Sequence, residues 1–263
     1  MKYAFSTLAC PDWEWSDILA AASDLGFDGI ELRGIGSEIY LPKISLFGEN
    51  KIEKTMAGIK RLNLKISCLA SSAYLFDKSL ADSAKCETEE FIVLASKIGA
   101  PFVRVLADKD PAPGVVDENS VEENLRALLP IAEANNVTLL VETNGVFADS
   151  KRLAELCKRI GHKNLGVLWD IHHPYRYFNE SCETTIENLG DYIRYVHVKD
   201  SIMNNGRAEY RMLGDGDVPV DEALSLLKKR GYDGFVTLEW VRRWDMNLED
   251  PGIALPHFLS AVK

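Results

Sequence analysis

The chain of 263 residues is predicted to fold as α/β, a single (β/α)8 TIM barrel forming one domain over residues 1–263. Three observations predict it. Short apolar runs alternate with amphipathic stretches from one end to the other, eight times over. The runs are nearly continuous in Val, Ile, Leu, Phe and Ala, as befits strands buried on both faces of a parallel sheet. The length also sits close to the roughly 250 residues of an eight-fold barrel.

In chain order, strands are expected at 3–8, 29–33, 64–70, 102–106, 137–142, 165–170, 193–198 and 235–240. The intervening helices are expected at 15–25, 52–62, 86–98, 120–134, 150–160, 183–192, 220–230 and 252–262. Gly26, Gly99, Gly161 and Gly231 stand at helix ends, where a C-cap wants a left-handed residue. Ser120, with Glu123 three residues on, reads as a capping box. Gly26-Phe27-Asp28-Gly29 nearly repeats as Gly231-Tyr232-Asp233-Gly234, which points to shared turn chemistry between helix and strand. Residues 201–218 read as a long loop rich in Gly and Asn. The main rival is a doubly wound sheet, and the absence of GxGxxG after the first strand lowers it.

Composition narrows the function. With 30 basic and 40 acidic residues the formal charge is −10, which gives no general attraction to nucleic acid or anionic membranes. No apolar run approaches the ~18 residues of a membrane span, and the N-terminal apolar stretch is too short for a signal peptide. A cytoplasmic protein is the expectation. The five cysteines, Cys10, Cys68, Cys86, Cys157 and Cys182, are scattered without CxxC spacing, so neither a disulfide framework nor a thiolate zinc site is expected.

The chemistry lies at the ends of the last four strands. Glu142 ends the fifth, Asp170 the sixth, His197 lies in the seventh and Glu239 near the end of the eighth. Successive strand ends of a parallel barrel share one rim, where barrel active sites form. Three crowded carboxylates repel unless a proton or cation offsets them. A divalent metal ion does so, and the imidazole completes an oxygen-rich set with one nitrogen. Such a set suits Mn²⁺ first, with Mg²⁺, Co²⁺ or Zn²⁺ as alternatives.

Val141-Glu142-Thr143-Asn144, Leu168-Trp169-Asp170-Ile171-His172-His173, Val196-His197-Val198-Lys199-Asp200, Leu213-Gly214-Asp215-Gly216-Asp217 and Leu238-Glu239-Trp240 carry a resemblance. The chain resembles the sugar phosphate isomerase/epimerases of the xylose isomerase-like TIM barrel superfamily. The resemblance implies that Glu142, Asp170, His197 and Glu239 bind one metal, that His173 and Arg211 contact substrate, and that Glu142 and Glu239 exchange the substrate proton. A proton beside a carbonyl is weakly acidic, and a cation on the carbonyl oxygen stabilises the enediolate left by its removal. Returning the proton to the other face epimerises; returning it to the neighbouring carbon isomerises.

The expected partner is a small-molecule sugar or polyol, with no nucleic acid and no membrane, and with room for a homo-oligomer. The alternative activity is a metal-dependent dehydratase of the inosose or dehydroshikimate type, which shares the first step. An endonuclease IV-like repair enzyme would need a three-zinc cluster, and only five histidines are present. A non-catalytic metal- or sugar-binding barrel is the fourth reading. Lys199 and Asp200 could position a substrate hydroxyl or form an ion pair. Glu31, Arg33 and Arg104 could reach the pocket or pair with one another. Some of Trp13, Trp15, Phe76, Trp240 and Trp244 could wall it.

Overall fold

The computed structural model describes residues 1–263 and contains a closed barrel of eight parallel strands. These are β1 (Lys2–Ser6), β2 (Gly29–Leu32), β3 (Lys65–Tyr74), β4 (Phe102–Leu106), β5 (Thr138–Glu142), β6 (Leu165–Asp170), β7 (Ile193–Val198) and, after a hairpin of β8 (Asp200–Asn204) and β9 (Arg207–Arg211), β10 (Phe235–Leu238). Neighbours run β1-β10-β7-β6-β5-β4-β3-β2 and close on β1, so each barrel strand lies beside its neighbours in sequence. The helices are α1 (Trp15–Leu25), α2 (Ile52–Arg61), α3 (Ala81–Ile98), α4 (Glu118–Ala134), α5 (Ser150–Ile160), α6 (His172–Phe178), α7 (Cys182–Leu189), α8 (Val220–Lys229) and α9 (Pro251–Val262). The expected doubly wound rival is thereby excluded.

Two apolar layers hold this together. Most of the buried residues lie in one large core, which packs strands such as Val141 and Val196 against helix residues such as Leu128 and Leu156. A smaller cluster, Ala4, Cys68, Leu140, Leu168, Tyr195 and Phe235, forms separately from it. The Tyr195 hydroxyl, fully buried, is met there by Ser67 Oγ and Thr237 Oγ1, each at 2.7 Å. A buried hydroxyl without partners would be costly, and these two supply them.

Gly26, Gly99, Gly161 and Gly231 adopt φ of 76°, 70°, 61° and 74°, the left-handed turns expected at helix ends. The near-repeat is turn chemistry too: Phe27 N donates to Ala22 O at 2.9 Å and Tyr232 N to Leu227 O at 3.0 Å, the same closure in both copies.

Three expectations are corrected. Helix α4 is not opened by Ser120. Asp117 caps it, accepting from Asn119 N and Ser120 N, and Ser120 lies inside the first turn with its hydroxyl on the same carboxylate. A charged acceptor three residues earlier takes the free amides first. The loop at 201–218 begins as the β8–β9 hairpin, turned by Asn205 and Gly206 at φ 49° and 77°, the Asn-Gly pairing that hairpins favour. Finally, β3 runs on past Ala70 to Tyr74, where it pairs with Leu106 after an irregularity in register.

Candidate metal centre

Strand register brings the four strand-end residues to one rim. Asp170 of β6 pairs with His197 of β7, and His197 pairs with Thr237 of β10, two residues before Glu239. Glu142 ends β5 next to β6. All four side chains are buried, and one potential ligand atom from each lies within 4.8 Å of all the others. The expectation that successive strand ends converge on one point therefore holds in space.

His197 tests whether a cation suits the group. Its Nε2 lies 2.7 Å from Glu31 Oε2, so that nitrogen carries the proton and donates it. Its Nδ1 is buried without a hydrogen-bond partner, 3.5 Å from Glu239 Oε1. A ligating histidine typically has its other ring nitrogen held by a carboxylate, leaving the first lone pair aimed at the ion. The donor set, two glutamates, one aspartate and this nitrogen, fits a divalent cation.

Cationic side chains supply the local charge balance. Lys199 Nζ, fully buried, donates to Asp170 Oδ2 and Glu239 Oε2. Arg104 Nε approaches Glu142 Oε2 at 3.3 Å. The two glutamates consequently differ. Burial pushes Glu142 up from its ordinary 4.5 to about 7, with Arg104 opposing and Glu239 reinforcing. Burial would raise Glu239 as well, but Lys199 and His197 hold it well below the usual carboxylate range. For His197 burial disfavours the charge, yet Glu31 and Glu239 outweigh it and lift the metal-free ring to about 9, so a cation at Nδ1 would take the place of that nitrogen's proton.

His173 sits beside this group as the first of the two expected substrate contacts. Its Nδ1 lies 3.0 Å from Thr143 O, an acceptor, so Nδ1 holds the ring proton. Nε2 is thus a bare lone pair, buried and unpartnered, 3.6 Å from Asp170 Oδ2. Burial and then Lys199 keep the ring neutral, well below its ordinary range. His172 points away, its Nε2 on Ser201 Oγ at 2.9 Å. Arg211, the second expected contact, is not brought into the cleft. Its guanidinium donates to Glu209 Oε2 at 2.7 Å and to Tyr210 O at 3.0 Å, and Tyr210 is the residue of that strand that faces inward.

Over the group opens a cleft of about 330 Å³, lined among others by Arg33, Tyr74, Asn144, His173, Tyr210 and Trp244. Of the five aromatic candidates only Trp244 lines it; Trp240 is buried, with Nε1 on Glu249 O at 2.9 Å. A larger hollow of about 800 Å³ lies at the opposite end of the barrel, against Lys2, Lys65 and Pro101. It contains no group of His, Cys, Asp and Glu that could hold a metal, and chemistry in barrels belongs to the other rim.

Two aspartates brace the loops around the cleft. Asp200 continues past the seventh strand and accepts from the amides of Ser201, Gly214, Gly216 and Val218, so it shapes the loop and neither pairs with Lys199 nor lines the cleft. A Cβ on Gly216 would stand 2.1 Å from its carboxylate. Asp108 does the same on the other side, accepting from Lys109, Gly114 and Val146. Gly145, at φ +56°, would press a Cβ within 2.2 Å of it. Asp108 stands out in the sequence only through the nearby Gly114 and Gly145.

Comparison with known proteins agrees with this architecture. A family described as xylose isomerase-like TIM barrel matches residues 19–258. Fructoselysine 3-epimerase of Escherichia coli O157:H7 is 25% identical over 233 residues, covering 84% of this chain and 83% of that protein. Among solved structures, the Escherichia coli 3-keto-D-glucoside 4-epimerase superposes with a TM-score of 0.76 at 18% identity, over 100% of this chain and 98% of that one. The IOLI protein with a binding zinc atom superposes with a TM-score of 0.80 at 18% identity, over 100% and 97%. The two structural likenesses concern the fold.

Proposed function

The chain belongs to the xylose isomerase-like TIM barrel family, and on that premise we propose that it is a divalent-metal-dependent isomerase or epimerase of a small sugar or sugar derivative. One observation carries the proposal: Glu142, Asp170, His197 and Glu239 meet within 4.8 Å at one rim of the barrel. The name of the fructoselysine 3-epimerase relative adds support for epimerisation of a sugar derivative.

Glu142, Asp170, Glu239 and the Nδ1 of His197 would hold the cation, with Mn²⁺ the first candidate and Mg²⁺, Co²⁺ or Zn²⁺ the alternatives. Bound there, it would supply Lewis-acid stabilisation of negative charge developing on a substrate carbonyl oxygen. The chain does the rest. Glu142 and Glu239 stand at the two ends of the ligand arc, on β5 and just after β10, so a substrate carbon between them meets a carboxylate on either side. One takes the proton beside the carbonyl and the other returns one to the opposite face. Glu31 fixes the ring of His197 through Nε2. The bare Nε2 of His173 accepts a hydrogen bond from a substrate hydroxyl and so orients the sugar. Tyr74, Tyr210 and Trp244 offer walls to its apolar face.

The test is elemental analysis of purified protein together with a ketose panel turned over in D₂O. One divalent ion per chain and deuterium at the carbon beside the carbonyl are expected, and Glu239→Gln should bring both to background. If Glu239→Gln retains full activity and full metal content, the proposal is dead. Product formed with loss of water would replace the epimerase by a dehydratase.

A further inference from the structure

We propose that the cleft holds a separate subsite for an anionic group of the substrate, a carboxylate or a phosphate, anchored by Arg33. The inference deepens the reading above, because it takes the cleft to be the substrate pocket. Arg33 follows β2, lines the cleft and is only 7% exposed. Its place is fixed before any ligand arrives: the backbone amide donates to Thr7 Oγ1 at 2.9 Å and Nη2 to Ser72 Oγ at 2.7 Å. The guanidinium stacks beneath the exposed ring of Trp244, 5.8 Å from its centroid.

What Arg33 lacks is an anion. Lys199 has Asp170 and Glu239, and Arg104 has Glu142. No carboxylate oxygen comes within 4.0 Å of the Arg33 guanidinium, and its Nη1 is buried without a hydrogen-bond partner. The acid closest to serving it, Glu87, accepts instead from Ser72 N at 2.6 Å. A buried cation left unpaired is unfavourable, and a fixed planar fork matches a carboxylate or phosphate. Burial, and Arg104 next, lower Arg33 to about 10, which still leaves it charged at neutral pH.

The experiment is a titration of the full chain with inorganic phosphate and, separately, with acetate, after chelation so that no metal contributes, read by tryptophan fluorescence. Saturable binding is expected for one of the two anions, and that anion identifies the group. Arg33→Gln should weaken it by about tenfold or more, the loss of one charge-assisted hydrogen bond. Arg33→Lys, which keeps the charge without the fork, should fall between. Circular dichroism reports whether each variant folds. Wild-type protein that binds neither anion, or folded Arg33→Gln that binds as well as wild type, overturns the proposal. A second readout uses metal-loaded enzyme with a ketose and its phosphorylated or carboxylated counterpart. The ratio of kcat/KM, anionic over neutral, should drop about tenfold in Arg33→Gln; an unchanged ratio also overturns it. Arg33-dependent anion binding without ketose turnover would sink the epimerase reading and leave the subsite standing, whereas turnover with Arg33-independent binding would do the reverse.

Discussion

On the β4–β5 side of the cleft, Glu142 faces Arg104 at 3.3 Å, with His197 acting on it more weakly. On the β7–β10 side, Glu239 shares Lys199 with Asp170, and His197 lies 3.5 Å away. Both glutamates are equally out of water, so burial acts alike on each, and the neighbours decide. Glu142 is lifted to about 7, while Glu239 is held ionised far below its ordinary range. Two copies of one side chain, a few ångströms apart, thus hold a proton under quite different conditions. Sites that must both take and give a proton commonly separate their groups in this manner.

The largest break in this comparison should come from Lys199→Met. It strips the shared cation from Asp170 and Glu239 together and leaves Glu239 with His197 as its nearest cation. The chelated protein should lose about 3–5 kcal/mol in urea unfolding, the range for removing one partner of a buried ion pair. Adding Mn²⁺ should recover much of that, because a divalent ion binding only the folded chain replaces the lost charge. Stability unaffected by the substitution would mean that Lys199 is not what holds the β7–β10 wall together.

Glu31→Gln acts one step further out. It keeps a partner for His197 Nε2 but removes the negative charge that lifts the ring and orients its lone pair. Metal affinity by isothermal titration is expected to weaken by about 10–100-fold, as for other carboxylates behind a ligating histidine. A change under twofold would argue that Nδ1 is not a ligand.

Arg104→Met should cost less than Lys199→Met, and the reason is the proton. In chelated wild type the folded-state value of Glu142 is about 7 against an ordinary 4.5. Its contribution is therefore fully present below 4.5 and is lost as pH rises through 7. Arg104 opposes the rise, so removing it carries the loss on to higher pH and makes it larger. At pH 6 both proteins keep Glu142 protonated and the deficit should be small. At pH 8 wild type tolerates the carboxylate better, and the deficit should grow. A deficit independent of pH would show that Arg104 acts on the fold and not through Glu142.

How much of this was legible in the sequence follows the range of the interactions. The strands at 102–106, 165–170 and 193–198 and the helices at 15–25 and 150–160 match the structure to the residue, because burial on both faces and a helix stripe are written locally. The rim acids were legible for the same reason: each interrupts an apolar run. Lys199 was half legible. His197 and Lys199 are two apart, so strand alternation puts them on one face, but nothing local told an ion pair from a substrate contact. The partnership of Glu31 with His197 spans 166 positions and exists only because β2 and β7 belong to one closed ring. Helix α6, seven residues long, is too short to show a period, and β8–β9 is a two-stranded hairpin whose Asn205-Gly206 turn was outweighed by the surrounding Gly and Asn.

That hairpin gives the smallest expected effect and the most informative surprise. Tyr210 lines the cleft and Arg211, the next residue, pairs outside it with Glu209, both side chains about two-fifths exposed. An exposed ion pair contributes about 0–1 kcal/mol, so Arg211→Ala should leave stability nearly unchanged. KM should stay within about twofold of wild type, whereas Tyr210→Ala, which removes part of the wall, should raise KM by several-fold for loss of uniform binding. A rise in KM above about tenfold for Arg211→Ala would reverse the order. It would mean that β8–β9 turns over the bound sugar and carries the guanidinium inward, breaking the pair with Glu209 to do so. In that case Glu209→Gln, which frees Arg211 in advance, should lower KM, and a KM unmoved by Glu209→Gln would argue against the turning hairpin.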